Sequence, residues 1–345
     1  MSKLEPTAIP PSATAVKVQS VTKTYEQWQR SGKGRNVIKN LIKPEKKVIT
    51  ALDNISFNIQ VGQFVAYAGP NGAGKSTTMK LLCGMLQPQT GEITVLGLSP
   101  QRDRIELMRR VGVLFGNRTE LWWDHPISSS FEWKRVVWNI PQKKYLKARE
   151  MVVELLDIGN ILNTFARELS LGQRMRADLA LMLLHEPELI LLDEPTLGLD
   201  VLAKRQMINF LKRLNQEKKT TIVVTSHDID DLEEMAERIL LISRGHLAFD
   251  GGFEQLRKVV GSLCRVILTM QGKGVPTLSC GMLLSHVNGI CEYEVDISSR
   301  SIQEILGEIA TIPGVVDIEI KKPPLEQVIA ELYSRWKNAE EDLAY

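Results

Sequence analysis

Nine consecutive residues, GPNGAGKST at positions 69–77, carry the most specific chemistry in this chain. They fit G-x-x-x-x-G-K-[ST]. An apolar strand-like run, FVAYA, precedes them and a helical run, TMKLLCGML, follows, which is the context a phosphate-binding loop requires. Gly69, Gly72 and Gly74 permit a tight turn that points backbone N–H groups inward, with Pro70, Asn71 and Ala73 filling the positions between them. The helix that follows adds the positive end of its dipole, and Lys75 is placed to reach β- and γ-phosphates. Ser76 offers a hydroxyl to Mg²⁺, with Thr77 beside it.

A second cluster lies at LILLDEP, residues 189–195. Four apolar residues deliver Asp193 and Glu194 to the end of a buried strand, where adjacent carboxylates are costly unless they are used. Mg²⁺ is one use: Asp193 acts on the metal, directly or through water, and Glu194 takes a proton from an attacking water. His227, in TSHD at 225–228, follows another apolar strand, where a ring nitrogen could reach the γ-phosphate or that water.

These residues must be positioned by a fold, and the sequence bounds it. A chain of 345 residues exceeds what a single core usually supports, so a large domain with a smaller one is expected. Lys+Arg minus Asp+Glu is 43 − 41 = +2, which gives no electrostatic case for nucleic acid as a partner, and none is expected. The cysteines Cys83, Cys264, Cys280 and Cys291 form no CxxC pair and no zinc-like spacing with the histidines, so a reducing compartment fits. No apolar run approaches the length of a membrane span, the start lacks the apolar centre of a signal peptide, and Ser2 removes the myristoylation option. Any membrane role is therefore expected through a partner.

The Pro/Ala/Ser/Thr-rich segment 1–15 reads as a disordered tail. VKVQSVTKTY and VITALDNISFNIQVGQFVAYAG read as strands, separated by a polar and basic insertion at 26–47. That insertion is either a solvated excursion or a face for anionic headgroups. Beyond residue 69, strand and helix patterns alternate, which indicates an α/β layer with a largely parallel sheet. From about 126 to 161 the apolar spacing is helical throughout. After Gly251-Gly252, SLCRVILTM, CEYEVDIS and VVDIEIKK read as strands, with SIQEILGEIA and PLEQVIAELYSRW as helices. Residues 251–345 are therefore expected to form a small C-terminal α+β appendage.

The order GPNGAGKST, LSLGQ (169–173), LILLDEP, LGLD (197–200) and TSHD resembles the ATP-binding subunit of an ABC transporter. LSLGQ is the discriminating element, since few other phosphate-loop proteins carry such a peptide before the acidic strand. The resemblance covers about residues 16–250 and implies a P-loop NTPase of the ABC type, an ATPase using ATP and Mg²⁺. It implies an antiparallel β subdomain and a helical subdomain at 124–184. It also implies that Ser170, Gly172 and Gln173 cap the γ-phosphate bound to the opposite subunit, so the chain works as a homodimer with two ATP sites, coupled in part by Asp200. Leu171 departs from the commoner glycine. Tyr25 is the positional match for the aromatic that stacks on adenine, with Trp28 the alternative.

GPNGAGKSTTMK, QPQTGEITVLG, SLGQRMRADLALMLLHEP and the ending VVDIEIKKPPLEQVIAELY are similar to the ABC-2 branch. That branch includes drug, antibiotic, lipid and polysaccharide exporters. The resemblance implies integral membrane permease partners gripped by the helical subdomain, and a peripheral location on the cytoplasmic side of the cell membrane. A soluble ABC ATPase of translation or DNA repair is the alternative; those relatives carry two such domains or a long coiled coil, and neither is present in this sequence. VGVLFGNRTELWW, residues 111–123, lies where the family places its glutamine loop, and Asn117 stands in the glutamine's position as a candidate catalytic and metal-binding residue. Asparagine keeps the amide but is shorter by about 1.5 Å, so a bridging water or a shifted loop is expected.

Overall fold

The computed structural model describes residues 13–29, 45–115, 119–260, 263–272, 274–279, 281–296, 302–321, 325, 328–330, 332 and 333. It divides into two compact units, Met1–Asp250 and Gly251–Tyr345.

In the first unit, β1 (Thr14–Gln29) and β2 (Glu45–Gln60) pair antiparallel, and β4 (Thr90–Val95) joins the other side of β1. β1 begins inside the segment expected to be a tail, because Val16 and Val18 are buried opposite Val95 and Ile93. The pairs Glu26↔Val48 and Gln27↔Lys47 likewise draw the ends of the 26–47 segment into the ladder. Ladder hydrogen bonds join backbone to backbone, so polar side chains there do not prevent pairing. The rest of that segment, 30–44, lies outside the described residues.

The second sheet has the order β5-β6-β7-β3-β8-β9, from β3 (Phe64–Ala68), β5 (Val111–Phe115), β6 (Leu189–Asp193), β7 (Thr221–Thr225), β8 (Arg238–Ser243) and β9 (His246–Gly252). The pairs from β5 through β8 are parallel. Leu189, Ile190, Leu191 and Leu192 are buried on both faces of β6, as a continuous apolar run demands in a covered parallel strand. Parallel strands end on the same side, so Phe115, Asp193 and Thr225 align across three of them. Everything that follows β3, β6 and β7 therefore emerges at one rim of the sheet.

Helix α1 (Lys75–Leu82) follows β3, and α2 (Arg104–Met108) precedes β5. The helical segment contains α3 (Ile127–Val137), α4 (Gln142–Leu155) and α5 (Leu171–Leu183). Ile127, Phe131, Tyr145, Ala148 and Val152 are its buried anchors, and α5 packs against both α4 and β5. Helix α6 (Val201–Lys218) leads into β7, and α7 (Ile229–Met235) follows it.

The second unit has helices α8 (Phe253–Val260) and α9 (Ile302–Ala310). Its antiparallel sheet has the order β11-β12-β10-β13, from β10 (Leu263–Met270), β11 (Gly281–Val287), β12 (Ile290–Asp296) and β13 (Val315–Lys321). Cys264, Val266, Leu268, Cys291, Tyr293 and Val295 form its core with Ile305 and Ile309 of α9. Sequence patterning missed β11. The signal was available: Asn288-Gly289 sits between two apolar runs, the residue pair a two-residue hairpin turn favours. Among the described residues, no helix is long and apolar enough to cross a membrane.

Candidate active site

The loop 69–77 leaves the end of β3, which lies between β7 and β8. Gly74 caps α1 at φ 116°, and a Cβ there would stand 2.6 Å from the Ala51 carbonyl oxygen, so only glycine fits. The buried Lys75 donates from Nζ to the carbonyl oxygens of Gly69 (2.7 Å) and Pro70 (3.3 Å). Burial pulls its ammonium below the ordinary lysine range, against the opposing pull of Glu194 and Asp193. Its charge is thus held over the loop by neutral acceptors, which an anionic phosphate oxygen outcompetes.

Asp193 ends β6. One carboxylate oxygen accepts from Ser76 Oγ at 2.8 Å and the other from Thr225 Oγ1 at 2.7 Å. Hydroxyl and carboxylate oxygens so placed are the hard donors that Mg²⁺ takes, and the pair fits such an ion. Glu194 follows at φ 60°, a left-handed conformation that costs about 1–3 kcal/mol for a residue with a Cβ and concentrates at functional sites. Its N–H holds the turn by donating to Thr225 Oγ1 (3.0 Å) and to the Thr225 carbonyl (3.2 Å). Its Oε1 lies 3.1 Å from His227 Nε2. Burial raises the Glu194 carboxyl above the usual range, with His227 and Lys75 pulling it back. A half-buried carboxylate with raised basicity beside a histidine is suited to taking a proton.

The structure therefore brings Lys75, Ser76, Asp193, Glu194 and His227 to one rim. Tyr25 stands near it, its hydroxyl 3.5 Å from Thr77 Oγ1 and its ring partly exposed. The Trp28 side chain and Asn117 lie outside the described residues.

Ser170 caps α5. Its Oγ accepts from the Gln173 N–H (3.2 Å), while Gln173 Oε1 accepts from the Ser170 N–H (2.9 Å), a reciprocal capping box that occupies the Gln173 side chain. The same region touches LGLD: a Cβ on Gly172 would meet the Ala203 Cβ at 3.5 Å, and one on Gly198 would lie 2.7 Å from Leu171 Cδ2. Asp200 caps α6, accepting from the Ala203 N–H at 2.8 Å. Among the described residues, no hydrogen bond or ion pair joins the Ser170–Gln173 cap to the 69–77 loop. The candidate residues thus fall into two groups.

Two residues escaped the sequence reading. Thr225 braces both Asp193 and Glu194, and its signal was a hydroxyl ending an apolar run, uninterpretable until β6 and β7 are known to be neighbours. Lys204 joins α6 to Asp228 and Asp231, and no local pattern announces it.

A family model described as ABC transporter matches residues 52–197. The ABC transporter ATP-binding protein NatA of Bacillus subtilis (strain 168) is 30% identical over 213 residues, covering 61% of this chain and 86% of that protein. The linearmycin resistance ATP-binding protein LnrL of the same organism is 26% identical over 299 residues, covering 83% and 94% respectively. The dimeric post-hydrolysis structure of the ATP-binding cassette MJ0796, bound to ADP and Pi, superposes with a TM-score of 0.57 at 27% identity, over 69% of this chain and 98% of that one.

Proposed function

Because this chain belongs to the ABC transporter ATP-binding family and is an ATPase cassette, we propose that two copies of it close on ATP and energise a membrane permease of the ABC-2 type, in the direction of export. The observation that carries this reading is the separation of the candidate residues into two groups on one chain. Lys75, Ser76, Asp193, Glu194 and His227 form one half of a γ-phosphate site; Ser170 and Gly172 form the other half, with no hydrogen bond or ion pair to the first among the described residues. A second copy completes the site, and symmetry makes two. The dimeric MJ0796 cassette supports this arrangement, and the name and 83% coverage of LnrL support the export branch.

In this reading the N–H groups of the loop and Lys75 hold the β- and γ-phosphates, Tyr25 stacks on adenine, and the partner's Ser170 and Gly172 close over the γ-phosphate. Ser76 and Asp193, with Asn117 as the third candidate, are the residues that would hold Mg²⁺. When bound, the ion supplies positive charge to the β- and γ-oxygens. Glu194 accepts the proton of a water whose oxygen attacks the γ-phosphorus, while the bond to the β–γ bridging oxygen breaks to leave ADP and phosphate. His227, 3.1 Å from Glu194, orients that carboxylate. Asp200 couples the two sites.

The helical segment grips the permease on the cytoplasmic side of the membrane. Exposed Trp122, Trp123 and Trp133 support an apolar docking face there, Trp122 and Trp133 with ring centroids 5.6 Å apart. Glu194→Gln is expected to lose hydrolysis by at least about 100-fold while binding ATP and forming an ATP-dependent dimer in sedimentation. Wild-type turnover in that variant would end the reading. Affinity capture from detergent-solubilised membranes should recover a multi-span partner; ribosomes or DNA instead would favour a role outside transport.

A further inference from the structure

Between the two groups of candidate residues lies a charged contact that the proposed mechanism does not use. Helix α6 starts at Asp200, whose carbonyl accepts from the Lys204 N–H at 2.9 Å, so Lys204 is fixed to Asp200 by the first helical turn. The Lys204 Nζ reaches across to Asp228 Oδ2 at 2.5 Å and to Asp231 Oδ2 at 2.9 Å. Asp228 directly follows His227 and caps α7, its Oδ1 accepting from the Asp231 N–H at 3.2 Å and its own N–H donating to Ser226 Oγ at 3.1 Å. Asp231 is buried. The cap that sets the direction of the backbone at His227 is therefore held to the first turn after Asp200 by one ammonium shared between two carboxylates.

We propose that Lys204 is a positioning residue: it ties the Asp200 segment to the turn carrying His227, so that placement of the one sets the placement of the other against Glu194. This rests on the dimeric ATPase reading, in which Asp200 couples the two sites and His227 orients Glu194. The contact is short, charge-assisted and anchored at both ends to helix caps, so a displacement of the Asp200 segment is passed to residue 228 rather than absorbed by a loop. One cation between two acids also makes the contact depend on the full ammonium charge. A neutral side chain leaves Asp228 and the buried Asp231 in mutual repulsion and frees the cap. Arginine, with more donors and the same charge, preserves the bridge.

The test uses the full chain with Lys204→Met, Lys204→Arg, Asp228→Asn and the double variant Lys204→Met/Asp228→Asn. Turnover is normalised to ATP-binding-competent molecules by titration with a fluorescent nucleotide, so that loss of folded protein alone does not register. Lys204→Met is expected to lower kcat about tenfold with KM changed by less than about twofold, Lys204→Arg to recover at least about half of the turnover, and the double variant to be no slower than Lys204→Met alone. Unchanged normalised kcat in Lys204→Met overturns the proposal, as does failure of Lys204→Arg to rescue, or losses that simply multiply in the double variant. If Lys204→Met does not fold, Asp228→Asn decides: it keeps the Lys204–Asp231 pair, and normal kcat in it is equally fatal. Failure of the underlying reading shows differently, as hydrolysis that survives Glu194→Gln whatever happens at Lys204.

Discussion

Asp193 and Asp178 are both carboxylates set among apolar strands and helices of the first unit, yet they are managed in opposite ways. Asp193 shares its oxygens with Ser76 and Thr225 and has Lys75 and Glu194 as charged neighbours. Asp178, buried on α5, accepts from neutral donors among the described residues, Thr119 Oγ1 at 2.8 Å and the Glu120 N–H at 3.1 Å. Burial pushes its carboxyl up to about 6, and the nearby charge of Glu120 pushes the same way. Close to Glu120 the pattern continues. Lys134 pairs with Glu120 at 2.7 Å and lies over Trp138, which stacks on His185. Burial and the Lys134 charge push His185 down to about 4. One region pools charges of both signs around a place where phosphate would bring more. The other buries Asp178 and His185 without an opposite charge, so those two resist their own charge and serve packing of the helical segment on β5.

That contrast can be broken at either end. The largest effect is expected from Lys75→Met, which leaves Asp193 and Glu194 without their cation and the loop without its phosphate donor. Nucleotide affinity, read by calorimetry, should fall by about 100-fold or more. Next comes acid stability. His185 is neutral in the fold down to about pH 4 but takes a proton near 6.5 when unfolded. Its contribution is therefore intact above pH 6.5 and lost as pH falls from 6.5 to 4, by about 3 kcal/mol. His185→Gln should flatten the denaturation midpoint across that window, and an unchanged slope would show that His185 is not isolated. The smallest effect belongs to Asp178→Asn. Because the folded carboxyl resists ionisation, the wild type carries a penalty above pH 6 that vanishes below about pH 4. The amide keeps an acceptor for Thr119 and Glu120, so at pH 7 the variant should be more stable by about 1–2 kcal/mol, with no gain at pH 4.

The same contrast explains what could be read from the sequence. The candidate rim was legible because its residues are written in contiguous peptides: GPNGAGKST contains Lys75 and Ser76, and LILLDEP places Asp193 at a strand end. The parallel layer followed from continuous apolar runs such as the one in β6. What was not legible joins distant peptides. Thr225 acquires its role only when β7 lies beside β6, Lys204 only when α6 crosses to α7, and Asp178 sits in an apolar stretch of α5 whose neighbours come from fifty-eight and fifty-nine residues earlier. The hairpin of β11 and β12 was legible and missed. Its Asn-Gly turn outweighs the weak alternation of GMLLSHV.

Leu171, the departure inside LSLGQ, leans on a residue from another peptide. Its Cδ2 occupies the space a side chain at position 198 would need, and Gly198 is at φ +73° as well. The two positions are therefore coupled: a side chain at 198 would carry the strain of a left-handed backbone and would also have to push the exposed end of Leu171 aside. The shape of LSLGQ is thus completed by a peptide twenty-seven residues further along the chain, and a transplanted motif would sit differently against a larger residue at that place.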